Sequence, residues 1–196
     1  MSVISLKTKQ KYGTLLAGNA FFMPSAFESI ATATGTGSSG TITFSSIPGT
    51  YQHLQIRGLF KSTGGSDGGD LTLNVRFNSD SGTNYVRHRL SGNGTAASAS
   101  SDTGITSIYL GSGVGGTGTT NMLGANIIDI HDYASTTKYK TARAFAAGEI
   151  NTTPSQVRLG SGLWLSTAAI TSISLIDVYG NFTTSSTFAL YGIKGA

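Results

Sequence analysis

The chain reads as an all-β protein, a jelly-roll-like two-sheet sandwich with an extended N-terminal arm, and three observations lead there. From Phe27 onward the apolar residues recur with a period of two. No stretch keeps a helical period through three turns. Between the alternating runs lie clusters of Gly, Asn, Ser and Pro such as IPGTY, TGGSDGG, NSDSGTN, SGNGTAASASSDTG, GSGVGGTGTT and YGNFTTSS, the residue types that turns require. Short strands at regular spacing with such turns predict a sandwich or barrel, and about ten of them favour a two-sheet jelly roll.

The elements follow in order. FESIATAT (27–34) and TITFSSI (41–47) open the body. YQHLQIRGLF (51–60) puts Leu54, Ile56 and Phe60 on one face, with Gln55, Arg57 and Leu59 opposite. DLTLNVRFN (70–78) sets Leu71, Leu73, Val75 and Phe77 against Thr72, Asn74, Arg76 and Asn78. Further strands are expected at NYVRHRL (84–90), ITSIYL (105–110), LGANIIDIHDY (123–133), KYKTARAFA (138–146), QVRLGSGLWLS (156–166), TSISLIDV (171–178) and STFALYGI (186–193). The domain division is therefore an arm, 1–25, and a sandwich domain, 26–196.

Composition narrows the function classes. A chain of 196 residues can bury a sizeable single core. It has no cysteine, hence no disulfide and no thiolate metal site. No apolar run approaches the roughly 20 residues of a membrane span. Charged residues make up 11% of the chain, against roughly 25% in ordinary soluble domains. The net charge of +4 resolves into two parts: residues 1–25 hold three lysines and no acid, while the remainder holds ten basic against nine acidic residues. A nucleic-acid surface needs basic side chains gathered on one face of the folded body, and this body is nearly neutral. Neither nucleic-acid binding nor membrane insertion is expected.

Apparent catalytic motifs dissolve on inspection. GSGVGG (111–116) has dinucleotide-loop spacing, but loop and then strand follow it where a helix must receive the pyrophosphate. GGSDG (64–68) has the nucleophile-elbow spacing, yet its glycines run into a strand and not into a helix. Alternation places Asp129, His131 and Tyr133 on one face, half of a metal or acid–base site at most. His88 stands between Arg87 and Arg89, and His53 borders a strand. A polysaccharide-cleaving enzyme would need paired carboxyls, and Asp129 and Asp132 alternate to opposite faces. No catalytic residue, metal ligand or cofactor is assigned. Most aromatic residues are read as core; Trp164, Tyr133 and Tyr139 are candidate contacts for a host glycan, because an aromatic ring matches the apolar face of a sugar.

Residues 1–25 raise a separate question. Gly18, Asn19 and Pro24 interrupt the apolar run, which suits a secretion signal poorly. Small residues (Gly13, Ala17, Gly18, Ala20) permit close backbone approach to another chain. Leu15, Leu16, Phe21, Phe22 and Met23 offer apolar knobs, and Lys7, Lys9 and Lys11 offer charge. The segment reads as an arm that a partner orders, since ordering costs about 1–2 kcal/mol per residue that only a partner surface can repay.

The blocks FESIAT, GTITFSSIPGTYQHLQIRG, VRFNSDSGTNYVRHRLSGNG, NIIDIHDYASTTKYKTARAF, SGLWLSTAAITSISL and GNFTTSSTFALYGIKGA resemble, in this order, a family of tailed-bacteriophage virion structural proteins, small β domains of tail-fibre or structural type. The resemblance spans about residues 27–196. It implies a non-enzymatic component located on the virion, a tail-fibre or baseplate-associated module on the tail, docked to other virion proteins by the arm. The alternative placement is a capsid decoration (cement) protein on the outer capsid surface. Low surface charge and open strand edges add the expectation of a homotrimer.

Overall fold

The computed structural model describes residues 26–65, 71–117, 121–150 and 155–195, and the expectations placed on residues 1–25 and on Ser66 lie outside these. Twelve strands are described: β1 (Phe27–Thr34), β2 (Thr41–Phe44), β3 (His53–Phe60), β4 (Leu71–Phe77), β5 (Tyr85–Gly92), β6 (Ala97–Ile105), β7 (Ile108–Gly113), β8 (Gly124–Ile130), β9 (Lys140–Gly148), β10 (Gln156–Trp164), β11 (Ile173–Asp177) and β12 (Thr187–Ile193). They form an eight-stranded sheet, β1-β12-β3-β8-β9-β10-β5-β6, and a four-stranded sheet, β2-β11-β4-β7. Every ladder between neighbours is antiparallel.

The strand order is that of a jelly roll with two additions. Setting β5, β6, β9 and β10 aside, consecutive strands alternate between a β1-β12-β3-β8 sheet and its β2-β11-β4-β7 partner, except that β4 and β7 pair with each other in the smaller sheet. The hairpins β5–β6 and β9–β10 then extend the first sheet sideways beyond β8. Ten strands agree closely with their expected positions. The sequence predicts a loop where β6 lies, because SASASSDTG has no apolar alternation; nearly all of the strand is exposed, so no buried face imposes a period. Tyr133 does not continue the face of Asp129 and His131. The strand ends at Ile130, Asp132 takes a φ of 46°, and Tyr133 turns inward to full burial.

The core lies between the sheets. Leu54, Ile56, Phe60, Ile128, Ile130 and Leu190 meet Leu71, Leu73, Val75, Phe77, Ile108, Ile173 and Leu175, all buried. Midway along β9 and β10 the inward residues are small, Ala142, Ala144 and Ala146 on one strand and Gly160 and Gly162 on the other, between the larger Arg158 and Trp164 of β10. That lets β7 cross them closely. A Cβ at Gly162 would collide with Ile108, and one at Gly160 would stand 3.2 Å from Leu110 Cδ2.

Polar groups tie the two layers where they meet. Asn126 of β8 accepts from the Ser112 N–H at 2.8 Å and donates to the Ser112 carbonyl at 2.9 Å, acting like one residue of an added strand. Arg158, 2% exposed, donates to the carbonyls of Leu71 and Gly111. At the opposite end, Trp164 donates its Nε1–H to Asp80 at 2.7 Å, and Asn84 and the Gly82 N–H also donate to that carboxylate. The Tyr85 hydroxyl serves the Phe77 N–H and donates toward the Asp80 carbonyl, fastening the same turn.

Two predictions arise from this packing. Gly162→Ala, which forces a methyl against buried Ile108, lowers stability by about 1–3 kcal/mol in chemical denaturation. Asp80→Ala strands the Trp164 N–H and costs about 1–3 kcal/mol. The Trp164 hydrogen bond, followed by that of Asn84, holds the Asp80 carboxyl below its ordinary value. Its contribution is therefore present above pH about 3.9 and lost as the pH falls through the lowered folded value. Acid unfolding followed by Trp164 fluorescence shows a shallower loss in Asp80→Ala than in the parent chain.

Candidate functional site: the open face of the eight-stranded sheet

The four-stranded sheet covers one side of the larger sheet, and the described residues leave the other side open. Register defines what that side carries. Reading across β12, β3, β8, β9, β10, β5 and β6, one row runs Ala189, Arg57, Ile127, Phe145, Leu159, Leu90, Ala99. Beside it runs Thr187, Leu59, Ala125, Ala147, Val157, Gly92, Ala97. On the other flank runs a polar row: Tyr191, Gln55, Asp129, Arg143, Ser161, His88, Ser101.

The first two rows form an apolar band. Ile127 is 39% exposed, Phe145 51%, Leu159 53% and Leu90 51%, with Leu59 and Val157 similarly open. Together the six expose roughly 500 Å² of apolar side chain, at the upper end of the largest patch on a typical monomer. Large residues stand outside here where the small ones are inside: midway along β9 and β10 the inward positions are Ala and Gly. The face also carries two depressions. One of 570 Å³ lies over β9, β10, β5 and β6 beside His88, Leu90, Arg143, Leu159 and Ser161. The other, 470 Å³, lies over β1, β12, β3 and β8 beside Arg57, Leu59 and Ile127.

Charge on this face is sparse and mostly positive. Asp129 accepts from Gln55 Nε2 at 2.7 Å. Gln55 in turn accepts from Arg57 Nε at 2.7 Å. At the β3–β8 end the sequence did not foretell that His53 and His131 meet, with ring centroids 5.1 Å apart. Their neighbourhood is a consequence of register, since paired residues of β3 and β8 are 64 or more apart in sequence, and no local pattern could show it. Arg143 donates to His131 Nε2 at 3.2 Å, and the Asp132 N–H donates to His53 Nδ1 at 3.1 Å. Burial, then Arg143, then His53 press the His131 pKa below its ordinary value, so this imidazole is neutral at pH 7.

The Asp132 carboxylate is engaged by Lys138 at 2.8 Å and by Gln52. Lys138 above all holds its pKa down, the reverse of what a general acid requires. Among the described residues no three His, Cys, Asp or Glu side chains gather to hold a metal ion. His88 lies apart on β5, facing the polar row, while Arg87 and Arg89 point to the other side as alternation requires. Arg87 pairs with Asp102 and stacks over Tyr109 at 5.0 Å.

The candidate glycan contacts need correction. Trp164 is 2% exposed and Tyr133 fully buried. Each belongs to the core, with its polar atom spent on the protein: Trp164 on Asp80, Tyr133 on the Pro48 carbonyl. Neither ring can face a sugar. Tyr139, 54% exposed, is the one of the three with an open ring. Gly111 and Gly113 of the GSGVGG run lie in β7, where a Cβ would strike Asn126 and Leu73 or the Phe60 ring; close packing explains these glycines. Compared with protein families, curated proteins and solved structures, the chain matches none.

Removing the Arg143 charge relieves one of the causes that depress His131. Arg143→Ala therefore raises the His131 pKa toward its ordinary value, observable as an alkaline shift of the imidazole titration by NMR. An unchanged titration would separate the two side chains.

Proposed function

We propose that this chain is a non-enzymatic structural component of a tailed-phage virion, a tail-fibre or baseplate-associated module held to other virion proteins through residues 1–25. The sequence blocks over residues 27–196 motivate the family, and one feature of the fold supports an interaction role. The two added hairpins widen a jelly-roll sheet into a broad face of low charge that carries an exposed apolar band. A band of that extent on a protein surface is characteristic of contact with another macromolecule.

The polar chemistry supports the same reading. Asp129 is engaged by Gln55, and Asp132 by Lys138 and Gln52, so both carboxylates are held in place as part of the surface. The arm supplies apolar and basic residues to a partner, and the rigid sandwich supplies a surface. Assembly as a homotrimer is part of the proposal, since the long exposed edge strand β6 offers unpaired backbone groups to a neighbour.

Two measurements decide it. In phage carrying a deletion of residues 1–25, quantitative mass spectrometry of purified particles shows the protein lost from them; normal occupancy refutes arm-mediated docking. In the undeleted phage, a copy number equal to that of tail components supports the tail placement, and one that scales with the capsid shell overturns it. Sedimentation of the purified chain tests the trimer directly.

A further inference from the structure

The widened part of the larger sheet carries a groove whose polar wall is built from side chains that the sandwich leaves unused. We infer that this groove, over β9, β10, β5 and β6, binds an acidic saccharide, with Arg143 and His88 holding its carboxylate and hydroxyl groups and Leu159 and Leu90 packing on its apolar face. This goes beyond the particle role, because it concerns a ligand of the isolated chain and does not depend on where the chain sits in a virion.

Register builds the groove. Arg143, Ser161, His88 and Ser101 stand side by side across β9, β10, β5 and β6, and all four are exposed. Two residues along the strands, Phe145, Leu159, Leu90 and Ala99 form a parallel apolar row. The rows are about 6.7 Å apart, and four strands make each about 14 Å long. Between them lies the depression of 570 Å³, within the usual size of a small-molecule site.

The second observation is hydrogen-bonding capacity left open. Among the described residues, the side chains of Ser161, His88 and Ser101 have no hydrogen-bond partner. Arg143 spends its Nε–H on His131, and its two terminal amino groups have no partner among those residues. On the same face Arg57, Gln55 and Asp129 are instead joined to one another. None of the described residues lining the depression is acidic. Asp129, the acid next to Arg143 in the row, already accepts from Gln55. The groove thus presents donors and positive charge along one wall and hydrocarbon along the other.

That pairing of walls selects the ligand class. A carboxylate matches the planar Arg143 guanidinium. Sugar hydroxyls match Ser161, His88 and Ser101, and the C–H face of the sugar ring matches Leu159 and Leu90. A peptide helix, about 10 Å across, is too wide for the space between the rows. An extended peptide draws its affinity from pairing with a strand edge, and β9, β10 and β5 are already paired on both sides. Nucleic acid needs many phosphate contacts from Lys and Arg, and this wall holds a single Arg.

The test is a titration of the full-length, nitrogen-15-labelled chain with a galacturonic acid tetramer, followed through the backbone amide signals by NMR. The expected result is a saturable shift confined to Arg143, Ser161, His88, Ser101 and their neighbours, with binding about tenfold tighter than that of a galactose tetramer. Arg143→Ala and His88→Ala each lower the affinity about fivefold. Leu159→Asn lowers it too, although the charge is unchanged. Arg57→Ala, which removes an exposed cation beside the other depression, leaves it as it was. The amide spectra themselves show that each variant folds. Absent shifts, shifts spread over the whole surface, equal affinity for the neutral tetramer, or an equal loss in Arg57→Ala would each overturn the inference. Tighter binding of an aspartate tetrapeptide or of a short single DNA strand would overturn it in favour of that class.

Discussion

The close approach of β7 to β9 and β10 is the constraint on which the rest of the molecule depends. It is possible only because the inward side of those two strands is lined by Ala142, Ala144, Ala146, Gly160 and Gly162. Dense cores leave no spare volume, so Ile108 and Leu110 of β7 fill the space that larger residues on β9 and β10 would have taken. The bulky apolar residues of the same strands, Phe145, Val157 and Leu159, are then left on the outside. The interior packing and the exposed band are two sides of one arrangement.

That arrangement also widens the jelly roll. The β1-β12-β3-β8 and β2-β11-β4-β7 sheets enclose the main core. The β9–β10 hairpin extends the larger sheet under the edge of the smaller one, and β5–β6 extends it past that edge. Buried polar ties hold the extension in register with the core. Asn126 joins β8 to β7, Arg158 joins β10 to β4 and β7, and the Asp80–Trp164 bond joins the end of β10 to the turn before β5. Burial raises the Tyr85 hydroxyl pKa to about 12, keeping it a neutral donor and acceptor at that turn.

The functional reading follows from what the face carries more than from any single side chain. Arg57, Asp129, Arg143 and His131 are engaged in hydrogen bonds along the sheet, as Arg57–Gln55–Asp129 and Arg143–His131. Groups so occupied define a fixed surface pattern. The apolar band with the polar row beside it has the arrangement of apolar centre and polar rim found at protein interfaces.

Sequence alone determined the class of fold, most strand positions and the inward residues of β3 and β4. There the alternation contrasts large apolar with polar side chains, and burial follows directly. It did not determine the faces of β9 and β10, where small and large apolar residues alternate and both sides look fit for burial. Nor did it show β6, whose two exposed sides leave no period, or the inward turn of Tyr133 past a left-handed Asp132. The burial of Trp164, the meeting of His53 with His131 and the apolar band across β8, β9, β10 and β5 were decided by tertiary structure. Each depends on register between strands distant in the chain, and register is set by how two sheets pack together, which no single strand encodes.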